Sequence, residues 1–191
     1  MQEAWGYYVV MLSFTIMIYP IRTASRFVDL MFLALDRVED RPYTLKWITG
    51  QIMIGDTLLV IGEGIIMFIL KNELATNLVF IPTLIVGFGD GLAEPVGITW
   101  GKHKYRARAC CSSRKYTRSF EGSFTVYISG VIACAAFYPV FANWHQFLAA
   151  IVVIPPVMTV AEAISPHTFD TPFMMLTGIS LIIAISYIPP I

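Results

Sequence analysis

The sequence predicts an all-α fold: a polytopic transmembrane helical bundle of about six spans, forming a single integral-membrane domain over residues 1–191. Three observations carry that expectation. Hydrophobic residues make up 57% of the chain and charged residues 14%, where soluble domains run at about 45–50% and about 25%; mean hydropathy is +0.68. Apolar residues gather into six runs close to the roughly 20 residues that a helix needs to cross a bilayer. The formal net charge is +0, yet the charged residues are clumped between those runs. Helices are the default there, because backbone groups in lipid must be satisfied internally, and the alternation that a β-barrel requires is absent. A chain of this length forms one bundle and leaves no room for a second folded domain.

The first run, about residues 4–21, follows Met1-Gln2-Glu3. That start lacks the basic residues of a signal peptide, so the run reads as a retained span. Residues 22–46 hold Arg22, Arg26, Arg37, Arg41 and Lys46, and within them "FVDLMFLAL" reads as a short interfacial helix. The second run, 47–70, carries Asp56 and Glu63 seven residues apart, on one helical face. Lys71 stands in the short connection to the third run, 75–100. The connection 101–118 then holds seven cations: Lys102, Lys104, Arg106, Arg108, Arg114, Lys115 and Arg118. The fourth run, 120–141, opens on "RSFEGSF", where Ser119 suits a helix cap and Gly122 and Ser123 permit close approach of another helix. Beside the cap, Glu121 has Arg118 as a local ion-pair partner. The fifth and sixth runs, 146–163 and 172–188, are joined by "SPHTFD". Six spans put the first, third and fifth connections on one side. Twelve of the 13 Lys and Arg fall there, with Lys71 alone on the other. The positive-inside rule turns that side toward the cytoplasm or its organellar equivalent, and the chain reads as a multi-pass integral membrane protein. Cys110, Cys111 and Cys134 have neither zinc nor disulfide spacing and read as small apolar residues.

The chemistry-bearing stretches come next. In "GFGDGLAEPVGITWGKHKY", Asp90, Glu94, Gly97 and Gly101 fall at i, i+4, i+7 and i+11 and share a helical face. Carboxylates at membrane depth face the bundle interior or a wet cavity. Gly87, Gly89 and Gly91 weaken the helix, and Pro95 deprives the Gly91 carbonyl of its N–H partner. A helix broken here offers freed carbonyls and carboxylates to a divalent cation, with Asp90, Glu94 and Glu162 as expected metal ligands. The other reading is a structural kink whose acids pair with bases elsewhere. The basic connection suits a polyphosphate, since Arg forks onto phosphate oxygens and Lys adds a compact charge. Lys102, Arg114 and Lys115 are its expected phosphate contacts. The competing reading gives it to anionic lipid headgroups. Nucleic acid is a poor partner for so small a surface. In "AEAISPHTFDTP", Glu162 is flanked by apolar residues and Asp170 follows in the turn; His167 reads as a loop residue. Acids that hold Mg²⁺ and bases that hold phosphate are the parts of phosphoryl or nucleotidyl transfer. Asp90, the basic connection, Ser119, Glu121, Glu162 and Asp170 are expected to converge on one membrane face.

The blocks "GDGLAEPVGITWGK", "RKYTRSFEGS" and "AEAISPHTFDTP", at this spacing over about residues 86–172, resemble those of the polyprenol-kinase-like membrane proteins, which include phytol kinase, dolichol kinase and CTP-dependent diacylglycerol kinase. The resemblance implies transfer of the γ-phosphoryl group of CTP to a lipid alcohol with Mg²⁺. It implies that Asp90 is the motif acid, that Gly97 and Gly101 are the motif glycines, and that Lys102 is the basic residue after them. Ser119, Glu121 and Gly122 match the Lys-Ser-x-x-Gly-Ser-like block, and Glu162 and Asp170 match the acids of the third block. The chain departs from the family at Thr171, where Asn is frequent, in having fewer N-terminal spans, and in lacking a clear match to the relatives' basic Arg-Lys element, for which Arg37, Arg41 and Lys46 are the candidate substitutes. The expected catalytic residues are therefore Asp90, Glu121, Glu162 and Asp170, and the expected nucleotide-binding residues Gly97, Gly101, Lys102, Arg114, Lys115 and Ser119. Phosphatidate cytidylyltransferase, an ion-binding transporter and an inactive relative stay open as alternatives.

Overall fold

A computed structural model describes residues 44–70, 73–110, 115–165 and 170–189. The first predicted span at 4–21, the interfacial segment with its arginines, Cys111, Arg114, His167 and the side chains of Lys46 and Asp56 lie outside the described residues. The chain falls into two units, Met1–Thr57 and Leu58–Ile191. The described part of the first is the opening half of helix α1 (Thr44–Leu70).

Helices dominate the described residues, and each of the five later apolar runs coincides with one. Two are long and apolar enough to cross a membrane: the continuous helix Asn77–Thr99 and α6 (Trp144–Ile164). The first of these is a composite. It follows α2 (Glu73–Thr76), tightens over Asn77–Val79, runs through α3 (Phe80–Leu84), widens into a π turn over Ile85–Asp90 and finishes as α4 (Gly91–Thr99). The expected break at Pro95 is thus not a break. The helix passes through the proline, and its irregularity is the π turn before it, where Gly91 N–H donates back to the Val86 carbonyl. Three shorter apolar helices are described: Thr57–Ile69 within α1, α5 (Phe120–Ala136) and α7 (Asp170–Ser186); the last two have 17 residues each, about 25 Å at 1.5 Å per residue.

A second departure is the basic connection. It is a hairpin, not a loop: β1 (Lys104–Arg108) pairs antiparallel with β2 (Lys115–Ser119), with Lys104 opposite Ser119 and Arg108 opposite Lys115. Its alternation of polar and half-buried residues has the two-residue period of a strand.

Small residues hold the helices together. Gly130 of α5 meets the backbone of Pro155 in α6, where an added Cβ would stand 3.0 Å from Pro155 Cα. Gly178 of α7 meets Pro82 and Met158, and Gly62 of α1 meets Val79 and Ile179. These pairs, with Cys134 Sγ on the Ala150 carbonyl at 3.8 Å, set α5 and α7 antiparallel to Asn77–Thr99 and α6. Between them lie Ile81, Ile85, Val126, Ile154, Met158 and Met174, all fully buried. At the end remote from the hairpin, Asn143 caps α6 by accepting from Gln146 N–H at 2.9 Å. The buried Gln146 amide donates to the carbonyls of Ser186 and Ile188 at 3.1 and 3.0 Å. That clamps the end of α7 to the start of α6, within a cluster of Tyr138, Phe141, Trp144 and Phe147 rings. The outward positions carry large apolar side chains: Phe88, Ile98, Phe124, Ile132, Val152 and Leu176 are exposed. Large apolar side chains thus lie outside as well as inside, and small residues stand at the helix contacts.

Candidate functional site

The site is built where the Asn77–Thr99 helix, the hairpin and the first turns of α5 meet. Ser119 closes β2 in extended backbone and caps α5, its Oγ accepting from Gly122 N–H at 3.1 Å. The capping role read from the sequence is therefore observed. Around Ser119 the two helices touch through backbone. A Cβ on Gly97 would stand 2.7 Å from Ser119 Oγ, one on Gly122 would stand 2.7 Å from the Ala93 carbonyl, and one on Gly101 would run into the Gly97 carbonyl oxygen. Further down, Gly89 lies against Val126 and Ser129. The seam is Gly89, Ala93, Gly97 and Gly101, a strict four-residue step. Asp90 and Glu94 each follow a seam residue, so they flank the contact instead of forming it, and both are half-buried. The face expected from sequence grouped them with Gly97 and Gly101; the contact with α5 instead runs through the residues just before them, Gly89 and Ala93. Glu94 lies about one turn deeper than Ser119 and Asp90 about 10–15 Å deeper, from the α5 residues their neighbours meet.

The hairpin is fixed to the bundle at four places. Phe120 N–H donates to the His103 carbonyl at 2.9 Å, and Cys110 N–H donates to the Ile164 carbonyl at 2.9 Å. Tyr105 shares a 2.6 Å hydrogen bond with Ser123, and its ring lies tilted against Phe120 with centroids 4.9 Å apart. Arg118 makes the fourth attachment. Its Nη1 lies 2.9 Å from Glu162 Oε1, and its Nη2 donates to the Glu162 carbonyl at 3.3 Å. Glu162 is 2% exposed and Arg118 14%. Arg118 Nε is buried and has no hydrogen-bond partner among the described residues.

These contacts revise one pairing. The sequence sets Glu121 beside Arg118; instead Glu121 accepts from His103, whose ring Nδ1 is 2.8 Å away and whose N–H is 3.3 Å away. Antiparallel pairing decides this, because Arg118 shares the inner ribbon face with Tyr105 and so points at α6. Asp170 opens α7, 2% exposed, with Oδ1 accepting from Thr171 N–H at 2.9 Å. Lys102 at the hairpin root and Lys115 at the start of β2 are exposed. Arg118, His103 and Tyr105 are the contributors that the sequence reading did not single out as site residues. The alternation "KYRAR … KYTRS" was the signal that sorts inner residues from outer ones.

No group of three or more His, Cys, Asp or Glu side chains is gathered as a metal cage among the described residues. Glu162 is engaged by a guanidinium; Asp90 and Glu94 stand one turn apart on the Asn77–Thr99 helix. Mg²⁺ accompanying a nucleotide needs only one or two protein carboxylates, the remaining ligands being phosphate oxygens and water. The donor set fits that mode and does not fit an all-protein Ca²⁺ or Zn²⁺ site. No protein-family model, curated protein or solved structure matches the chain.

Proposed function

We propose that this chain is a multi-pass integral membrane protein that transfers the γ-phosphoryl group of CTP to a lipid alcohol. One observation carries the reading: three blocks far apart in sequence meet around Ser119. Gly97 and Gly101 pack on it, Arg118 and Gly122 adjoin it, and Arg118 reaches across to Glu162. The membrane part of the proposal is supported by the two long apolar helices and by the large apolar side chains that the bundle leaves exposed on its outside.

The division of labour follows from depth and charge. Lys102 at the hairpin root and Lys115 at the start of β2, both exposed, take nucleotide phosphates from water. Arg118, anchored by Glu162, offers its remaining Nε–H to a phosphate oxygen beside the Ser119 cap. Asp90 and Glu94 would hold the cation, which when bound would neutralise charge on the transferring group. The lipid hydroxyl arrives from the bilayer side, gives up its proton and forms the new O–P bond. The bond from the γ-phosphorus to the bridging oxygen breaks, and CDP leaves. Asp170 is the better base, being buried at the start of α7, whereas Glu121 lies at the aqueous rim and is held by His103. The preference for cytosine rests on the family resemblance alone.

The test is transfer by the purified chain in lipid nanodiscs, given CTP labelled at the γ-phosphorus, Mg²⁺ and a mixed lipid extract. Label in an organic-soluble phosphate ester is the expected result. Label released as pyrophosphate would assign the chain to cytidylyl transfer, and no consumption of CTP would return the site to an ion-binding or inactive role.

A further inference from the structure

The hairpin has two unlike faces, and only one is accounted for by its attachment to the bundle. Residues directly opposite in an antiparallel pair share a face. The register therefore puts Tyr105, Ala107, Tyr116 and Arg118 on the inner face, all half-buried. The outer face carries Lys104, Arg106, Arg108 and Lys115, all exposed, with Thr117 between them. Three of these cations repeat along β1 at every second residue, about 6.6 Å apart at strand rise. No carboxylate stands on either strand. The ribbon is thus a one-sided array of positive charge, and the array needs an anionic counterpart.

Its surroundings say which one. Trp100 and Phe120 flank the two ends of the hairpin, 66% and 62% exposed, and Ile98 and Phe124 lie one half-turn to one turn further along their helices, also exposed. Exposed Trp and large apolar side chains at the end of a membrane helix mark the headgroup level. The hairpin root is therefore at that level, and the docking of Cys110 on Ile164 and of Tyr105 on Ser123 lays the ribbon over the bundle end. We infer that the outer face of this hairpin, through Lys104, Arg106 and Arg108, binds the anionic headgroups of the surrounding leaflet. The inference rests on the membrane-spanning part of the proposed function and is independent of the phosphoryl transfer. It separates the cations into two sets: Lys102, Lys115 and Arg118 for the nucleotide, and the β1 cations Lys104, Arg106 and Arg108 for lipid phosphate. A leaflet docked there would hold the ribbon in place over the site.

Lipid selectivity measures this directly. The full chain is reconstituted in phosphatidylcholine vesicles with trace spin-labelled phosphatidylglycerol or spin-labelled phosphatidylcholine, and the motionally restricted fraction of each label is compared. A polybasic surface gains for every Lys or Arg near an anionic leaflet, so the expected preference for phosphatidylglycerol is about fivefold at low salt. It should fall toward unity at about 0.5 M NaCl, where charges are screened within a few ångström. The triple variant K104Q/R106Q/R108Q should lose the preference and R106K/R108K should keep it; the salt titration of the native chain stands on its own if the triple variant does not fold. Equal restriction of the two labels at low salt would overturn the inference while leaving the membrane reading intact. Loss of the preference on adding inorganic triphosphate would overturn it too, giving the face to a soluble polyphosphate. A reconstituted protein that restricts neither label would remove the membrane reading and this inference with it.

Discussion

Arg118 Nη1 lies 2.9 Å from Glu162 Oε1, tying the last residues of the hairpin to the last turn of α6. A buried pair contributes little against an apolar replacement of the same shape, but removing one member strands the other. Arg118→Met or Glu162→Leu alone should therefore lower stability by about 3 kcal/mol, while the double variant should recover most of that loss. Unfolding in mild detergent, followed by denaturant titration, reads both. Additive losses in the double variant would show that the two residues are not paired.

The glycine seam makes a graded prediction. Gly101→Ala drives a methyl into the Gly97 carbonyl, which is backbone and cannot turn aside, so a loss of about 2–3 kcal/mol is expected. Gly97→Ala meets the Ser119 hydroxyl, which can rotate at the expense of the α5 cap, so a loss of about 1 kcal/mol is expected. Gly91→Ala has open space around it and should be neutral or stabilise by about 0.5 kcal/mol. Thermal melts of the three variants settle the order, and an equal effect at all three positions would remove the seam from the account.

How far the sequence foretold this depends on the interaction concerned. Apolar runs at helix length located the helices over 44–70, 73–99, 120–136, 144–164 and 170–186, because burial or lipid contact needs only composition and length. Ser119 was legible as a cap because capping is local, involving only the next three residues. The π turn at Ile85–Asp90 was not legible, because one residue more in a turn leaves no compositional mark; nor was the choice of Gly89 and Ala93 for the seam over the adjacent Asp90 and Glu94, which depends on the neighbouring helix. The hairpin was obscured by its own charge density, although Tyr105, Ala107, Tyr116 and Arg118 alternate with the outer cations. The Arg118–Glu162 pair is a tertiary contact across 44 residues, and the nearer Glu121 was the obvious but incorrect partner.

If Lys102 and Lys115 take nucleotide phosphates, Lys102→Ala and Lys115→Ala should each raise KM for the nucleotide about three- to tenfold with kcat nearly unchanged. Both side chains are exposed, so raising the salt should narrow the difference between variant and parent. Initial rates at several nucleotide concentrations and two ionic strengths test this. A fall in kcat with KM constant would move these lysines from phosphate capture to the reacting group.

The proposed function separates the carboxylates by role. If Asp90 holds the cation, Asp90→Asn removes charge there without changing shape, so transfer should fall by a factor of about 100 or more while the melting temperature holds. Asp170→Asn removes the proposed base and should reduce kcat by about 10²–10⁴ with little change in KM. Glu121→Gln keeps a hydrogen-bond acceptor for His103, and its effect should be limited to a few-fold, carried through the seating of the hairpin. The three variants can be compared in one assay of labelled phosphate reaching lipid, each checked for folding by its melt. Full activity in Asp90→Asn would take that residue out of the chemistry. A large loss in Glu121→Gln beside an active Asp170→Asn would exchange the two, placing the proton acceptor at the aqueous rim and the lipid hydroxyl with it.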